Sequence, residues 1–271
     1  MTVVLAVVAG ALIGLSLGAL GGGGSILAVP VLVYLLGQSP TQATTGSLVV
    51  VGVTSILGAV TAHRAGNVLV GRGVAFGVVA IGGAALGGMA STLVPETVLM
   101  AAFAVLMLVV GGLMTWRLVR RSARGIAARP ELDEPIITFR PRFACACPRA
   151  LMVLLAATVV GLLTGFLGVG GGFLVVPALM LALGLPMRYA AGTSLVVITI
   201  TSAAALAVRA GSGISPDWSA VLLLTVVAAV GAVVGARFAG KVDSRRLSAA
   251  FTVLVFGVAV CPAIQALPVF V

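Results

Sequence analysis

A glycine cluster running into a proline occurs twice in this chain, 147 positions apart. Gly14-Leu15, Gly18, Leu20-Gly21, Gly23-Gly24, Leu27, Val29-Pro30, Leu32 and Leu36-Gly37 return as Gly161-Leu162, Gly165, Leu167-Gly168, Gly170-Gly171, Leu174, Val176-Pro177, Leu179 and Leu183-Gly184. The register then holds through Ala43/Ala190 and Ser47-Leu48-Val49-Val50/Ser194-Leu195-Val196-Val197. From Gly14 to Val50, 18 of 37 positions are identical without a gap. Self-similarity at a fixed offset marks a duplicated unit. Whatever the first copy folds into, the second repeats.

The solvent of that unit is lipid. With 61% hydrophobic residues, 8% charged and a mean hydropathy of +1.28, long stretches carry no charge, and a water-soluble globule has no use for them. Spanning segments without closed strand ladders must be helices, so the expected fold is an all-α polytopic membrane protein. The first apolar segment lacks a basic leader and recurs mid-chain, so it reads as mature protein and not as a signal peptide. Cys145, Cys147 and Cys261 are too few for a disulfide framework, and Cys-Ala-Cys is tighter than zinc or redox pairs. They read as incidental thiols.

Uninterrupted apolarity divides each half into five segments. The first half gives Val3–Leu20, Ser25–Gly37, Thr41–Ala62, Gly73–Val94 and Thr97–Trp116; the second gives Ala150–Leu167, Gly172–Gly184, Tyr189–Val208, Trp218–Ala236 and Leu247–Val271. The second segment of each half has 13 residues. As a helix it reaches about 20 Å, short of a hydrocarbon core about 30 Å thick. Each ends at a glycine suited to a helix C′ position, and Ser39-Pro40 or Leu185-Pro186 opens the next helix.

The chain therefore reads as a first membrane repeat (1–116), a basic linker (117–149) and a second repeat (150–271). The linker carries Arg117, Arg120, Arg121, Arg124, Arg129, Arg140, Arg142 and Arg149 against Glu131, Asp133 and Glu134. Arginines beside membrane segments set topology, which places the linker in the cytoplasm and explains the pI of about 11.4 without nucleic acid. Two arrangements compete. If the first two segments of each half form a hairpin, the halves are inverted and 15 of the 16 Lys/Arg lie inside, leaving out only Arg209 beside Asp217. If they form one broken crossing, the halves are parallel and 11 remain inside. The charge rule prefers inverted repeats, each a glycine-tipped hairpin plus three spanning helices, with both termini outside.

Inverted repeats place interrupted helices where unwound backbone lines a cavity or a substrate. The interruptions are Gly21-Gly22-Gly23-Gly24-Ser25 and Gly168-Val169-Gly170-Gly171-Gly172. Each precedes a short helix, so unpaired N–H groups and a positive dipole end face the break, and glycine lets backbone approach a ligand. The expected ligand is an anion. The competing reading is that these glycines only permit close helix packing. Thr44, Thr45 and Ser47, with Thr193 and Ser194 in the second half, follow the hairpins and offer hydroxyl donors, unless they bond their own helix carbonyls. His63, the single histidine, reads as an interfacial residue at a cytoplasmic helix end, with a proton relay as its alternative role.

Gly-Gly-Gly-Gly-Ser-x4-Pro-x-Leu, its partner Gly-x-Gly-Gly-Gly-x4-Pro-x-Leu, and Ala191-Gly192-Thr193-Ser194-Leu195 resemble the sulfite exporter TauE/SafE family, over essentially the whole chain. The resemblance implies a permease for small sulfur-containing anions such as sulfite, thiosulfate or sulfonates, with about eight transmembrane segments. The linker is longer than the family leads one to expect. The acidic residues Glu96, Glu131, Asp133, Glu134, Asp217 and Asp243 all fall in loops or the linker. The usual buried coupling carboxylate is thus absent. An anion leaving a negative interior gains about 2.3 kcal/mol per charge per 100 mV, so export needs no coupling ion. The expected function is export of a small sulfur oxyanion or organosulfonate by alternating access. The alternatives are a proton-coupled importer of the same anions and a non-transport membrane subunit of an enzyme complex. One histidine and no core carboxylate disfavour enzymatic chemistry and a metal site, and no cofactor is expected. The expected partners are the anionic substrate and the bilayer, with the oligomeric state open.

Overall fold

The computed structural model of the protein describes residues 2–91, 102, 105–116, 147–167, 172–209 and 216–270, and all regular structure among them is helical. In chain order these are α1 (Thr2–Leu20), α2 (Gly23–Pro30), α3 (Pro40–Arg64), α4 (Val70–Ser91), α5 (Val105–Trp116), α6 (Cys147–Leu167), α7 (Gly172–Ala182), α8 (Met187–Arg209), α9 (Trp218–Ala239) and α10 (Ser244–Phe270). Among the described residues, four stretches are long and apolar enough to cross a membrane unaided, lying in α3, α4, α8 and α9. The Arg-rich stretch 117–146 and the loop around Glu96 fall outside the described residues.

Helix ends follow the local chemistry. Gly37 and Gly184 both take φ +65°, the left-handed conformation that stops a helix and that glycine adopts at no steric cost. Ser39 then opens α3 with a capping box: its Oγ accepts from Gln42 N at 3.4 Å, while Ser39 N donates to Gln42 Oε1 at 3.4 Å. Asp217 caps α9, accepting from Ser219 N at 3.0 Å. One feature departs from the sequence reading of a simple short helix. Pro30 cannot donate to the ladder, and after it α2 widens into a π-helical turn over Val31–Leu35, closed by Leu36 N to Val31 O at 3.3 Å. Its counterpart Pro177 lies inside α7, which stays α-helical to Ala182.

α2 doubles back along α1. A Cβ on Gly24 would strike the Ile13 carbonyl and lie 2.8 Å from Leu17 Cβ, and Ile13, Leu17, Ala28 and Leu32 share one core cluster. A single broken crossing would carry Gly24 away from Ile13; a hairpin brings it there.

The halves then exchange partners. α1 packs most extensively on α9, and α6 on α4. Gly14 and Gly18 lie against the Ala228 and Ala232 carbonyls, and Gly161 and Gly165 against those of Ala80 and Ala84. Both pairs run parallel, since numbering ascends together on the two helices. In hydrocarbon there is no hydrophobic drive between helices, so this backbone-to-backbone approach is how they cohere. Val78, Leu12, Val226 and Val230 point outward, as a lipid-facing rim would. α3 and α8 cross the opposite way: Gly52 faces Ser202, Ser55 Oγ lies 3.0 Å from Thr199 Oγ1, and Gly58 faces Leu195. These equivalent helices are antiparallel.

One end of the bundle gathers the cations. Leu69 N donates to Thr193 Oγ1 at 3.1 Å, Arg188 N to Ser244 Oγ at 3.4 Å, and the Arg188 guanidinium to the Gly240 carbonyl. The α3–α4 connection, the start of α8 and the α9–α10 turn therefore meet, bringing Arg64, Arg72, Arg188, Arg237, Lys241, Arg245 and Arg246 to a common side. At the other end Arg209 Nη1 donates to Thr45 Oγ1 at 3.3 Å.

Candidate functional site

The two glycine breaks meet in the middle of the fold. A Cβ on Gly22 would strike the Gly172 carbonyl, and one on Gly172 would lie 2.8 Å from Ser25 Oγ. Ser25 and Gly172 occupy the same place in the two repeats, so the starts of α2 and α7 face each other across the point that relates the halves. Gly22 stands at the N-cap of α2 with no side-chain cap. Ser25 Oγ donates to Gly22 O at 2.7 Å, and Ser25 N reaches the same carbonyl at 3.3 Å. The first N–H groups of a helix have no partner within it, and Gly22 at this helix start lies against the opposing tip. Gly21 takes φ +78°, and a Cβ there would strike the Ala191 carbonyl. Gly23 turns its open side toward Leu254 of α10 instead of the second tip. Gly21 to Ile26 are all buried, so these tips are in tight contact. Gly168, Gly170 and Gly171 lie outside the described residues.

The hydroxyls expected near the tips separate into three settings. Ser194 Oγ lies 2.7 Å from Ala191 O and 3.0 Å from Gly21 O, which ties α8 to the first tip. Thr193, fully buried, accepts from Leu69 N and so fixes the α3–α4 connection. Ser47 Oγ donates to Thr44 O at 2.8 Å within α3, and Thr45 accepts from Arg209. Gln42 is engaged in the α3 cap. His63 is exposed in the last turn of α3, at the basic end and away from the tips. The described carboxylates Asp217 and Asp243 are exposed at helix ends. Among the described residues no three His, Cys, Asp or Glu side chains come together as a metal site would require.

Two polar features were not singled out from the sequence. Among the described residues, the buried side-chain polar atoms without a hydrogen-bond partner are Ser202 Oγ and both amide atoms of Gln38. Each such group costs about 1–3 kcal/mol. Other hydroxyls on these helices avoid that cost by donating to a carbonyl one turn back, as Thr54, Ser55, Thr199 and Thr201 do. The available signal was the run of hydroxyls at helical spacing, Ser55 on α3 and Thr199 and Ser202 on α8.

The family model described as sulfite exporter TauE/SafE matches residues 6–261. The chain belongs to this family. Two relatives, each a "Probable membrane transporter protein" of Xylella fastidiosa, are 35% identical (strain Temecula1 / ATCC 700964) and 34% identical (strain 9a5c) over 198 residues, covering 73% of this chain and 70% of theirs. No solved structure matches it. Membership and the apolar helices make this TauE/SafE protein a multi-pass integral membrane transporter of the bacterial inner-membrane type.

Proposed function

We propose that this protein is a permease for a small sulfur oxyanion or organosulfonate, working by alternating access between two inverted repeats and exporting its substrate down the membrane potential. The observation that carries the reading is the meeting of two helix starts, α2 and α7, between the antiparallel helices α3 and α8. Backbone N–H groups and two positive dipole ends suit a small anion and carry no proton. Tight glycine contact between the tips fits a state in which the two halves are closed on each other. Parting of the halves would expose those donors. The gathering of basic residues at one end supports placing that end, with the starts of α4 and α8, in the cytoplasm. The residues assigned to substrate are Gly21, Gly22, Gly24, Ser25 and Gly172, with Gly168, Gly170 and Gly171 from the second tip. Thr44, Thr45, Ser47, Thr193 and Ser194 hold or flank that frame.

The test is sulfite and thiosulfate flux into liposomes containing the purified protein. Flux should follow an imposed potential, persist when the pH gradient is collapsed, and survive His63→Ala. Transport that needs the pH gradient and vanishes in that variant would establish the proton-coupled importer instead. Absence of flux without an added partner would favour a subunit role.

A further inference from the structure

We propose that the end of α9 at the basic side of the protein holds an anionic phospholipid, whose phosphodiester sits between Arg237 and Lys241 and whose acyl chain lies along the helix. The inference needs a membrane protein, which family membership makes this chain, and does not depend on the permease reading.

Val234, Arg237, Phe238 and Lys241 line a surface cavity of about 280 Å³. It continues a stripe. Val226, Val230, Val234 and Arg237 follow one another at steps of four, four and three along one face of α9, and Lys241 extends that face just past the helix end. Val226 and Val230 are exposed, as are Phe238 and both cations. A different face of α9, where Gly231 and Gly235 lie against the Ala11 and Leu15 carbonyls, carries the packing on α1. The stripe is therefore turned toward lipid, with its charge at one end and its apolar length below.

The duplication supplies an internal comparison. Gly83 and Gly87 of α4 meet the Thr158 and Leu162 carbonyls of α6 just as Gly231 and Gly235 meet α1. Counting from these glycines, Val78, Leu86 and Met89 stand where Val226, Val234 and Arg237 stand, and all three are exposed. The lipid-facing side of this helix can thus stay apolar to its end. Setting topology needs positive charge near a membrane boundary, and Arg64, Arg245 and Arg246 supply it without lining the cavity.

The bare carbonyls of a helix C-terminus ordinarily repel an anion. Here two are occupied: Phe238 O accepts from Lys241 N at 2.9 Å, and Gly240 O accepts from the Arg188 guanidinium. The same bonds fix the turn that carries Lys241, and Arg188 brings a third cation to it. Asp243, exposed two residues further on, does not line the cavity. Arginine and lysine lay their stems along apolar surface and hold their charges at the headgroup level. A soluble anion would gain nothing from Val234 and Phe238, and a neutral lipid nothing from the cations. Each cation should contribute roughly five-fold in affinity for an anionic headgroup.

The experiment titrates the purified full chain in detergent with short-chain phosphatidylglycerol, short-chain phosphatidylcholine or glycerol phosphate, and reads the apparent Kd and the Tm gained. Phosphatidylglycerol should bind and raise the Tm; phosphatidylcholine, which lacks the net charge, and glycerol phosphate, which lacks the tails, should not. Arg237→Gln and Lys241→Gln should each weaken phosphatidylglycerol about five-fold. Arg64→Gln and Arg246→Gln remove the same charge at the same end outside the cavity and should leave its Kd near wild type. Phe238→Ala keeps every charge and should also weaken the lipid, which preserves the comparison if the charge variants do not insert. Equal losses in the cavity variants and in Arg64→Gln and Arg246→Gln would mean diffuse attraction and overturn the site. Equal binding of phosphatidylcholine, or an equal gain from glycerol phosphate, would likewise overturn the assignment to an anionic lipid. Liposome flux plays no part in this readout, so a protein that binds the lipid but moves no sulfite upholds the site and counts against the permease reading alone.

Discussion

Four consecutive glycines, Gly21 to Gly24, offer a graded test of what the first tip is for, because each faces a different obstacle. In Gly22→Ala the new Cβ meets the Gly172 carbonyl, with Gly172 C at 2.7 Å and Phe173 Cα at 3.0 Å. Both sides of that contact are backbone, so the tips must part by about 1 Å to reach ordinary van der Waals distance, and overpacking of this kind costs ~1–3 kcal/mol. Gly24→Ala is similar, meeting the Ile13 carbonyl and Leu17 N at 2.9 Å. In Gly23→Ala the obstacle is Leu254 Cδ2 at 2.9 Å, the far end of a side chain that can turn aside. Alanine also favours the helix over glycine by up to ~1 kcal/mol. Gly23→Ala should therefore stay within ~1 kcal/mol of wild type, with Gly22→Ala ~2–4 kcal/mol below it. At roughly 2–4 °C per kcal/mol for a chain of this size class, the gap is about 4–16 °C in detergent. Thermal unfolding of the three alanine variants, followed by flux for those that insert, reads this out. Equal losses at positions 22 and 23 would refute the packing argument.

Two further outcomes are expected. Cysteine probes, in a background lacking Cys145, Cys147 and Cys261, should react from outside near Gly37 and Glu96 and stay protected near Arg188 and Arg245. Equal outside reactivity at the Glu96 and Arg245 loops would defeat the inverted arrangement. Hydrogen bonds from the Ser219 hydroxyl and backbone hold the Asp217 carboxyl below its ordinary 3.8. A depressed folded-state value stabilises above the ordinary one, and the benefit is lost as pH falls through the folded value. Asp217→Asn should narrow its stability gap from wild type as pH drops below 4, and a gap independent of pH down to that range would show that the carboxylate charge plays no part.

Most of the helix boundaries were legible because the signals are local. Gly37 and Gly184 end the short helices, Ser39-Pro40 opens α3, and the sequence segments fall within a few residues of the helices described. The hairpin followed from length and charge, and Gly24 against Ile13 is its structural counterpart. Less was legible at the tips. A glycine run signals that something comes close, yet only the fold distinguishes Gly22, which meets the other tip, from Gly23, which meets α10. Thr193 and Ser194 are neighbours in sequence but serve different contacts, since a step of 100° around α8 sends one to Leu69 and the other to Gly21. The spacing of Ser202 with Thr199 was legible, but its unpartnered hydroxyl was not. Whether a hydroxyl bonds its own helix or goes unpartnered is decided by what stands opposite, and Gly52 lies far away in sequence.

The exchange of partners between α1 and α9, and between α6 and α4, bears on how the protein is made. α9 begins at residue 218, so at ~5–20 residues per second α1 waits roughly 10–40 s after emerging before its glycine face has anything to close on. The hairpin with α2 and its contacts with α3 are what hold it meanwhile. A first half synthesised alone would carry Gly14 and Gly18 with no Ala228 or Ala232 to receive them, and its α4 would wait equally for α6. Its remaining recourse is a second copy threaded through the membrane in the opposite sense, since such a copy presents its own α4 where α9 should be. Two separately expressed halves should accordingly be degraded singly and rescue each other when made together.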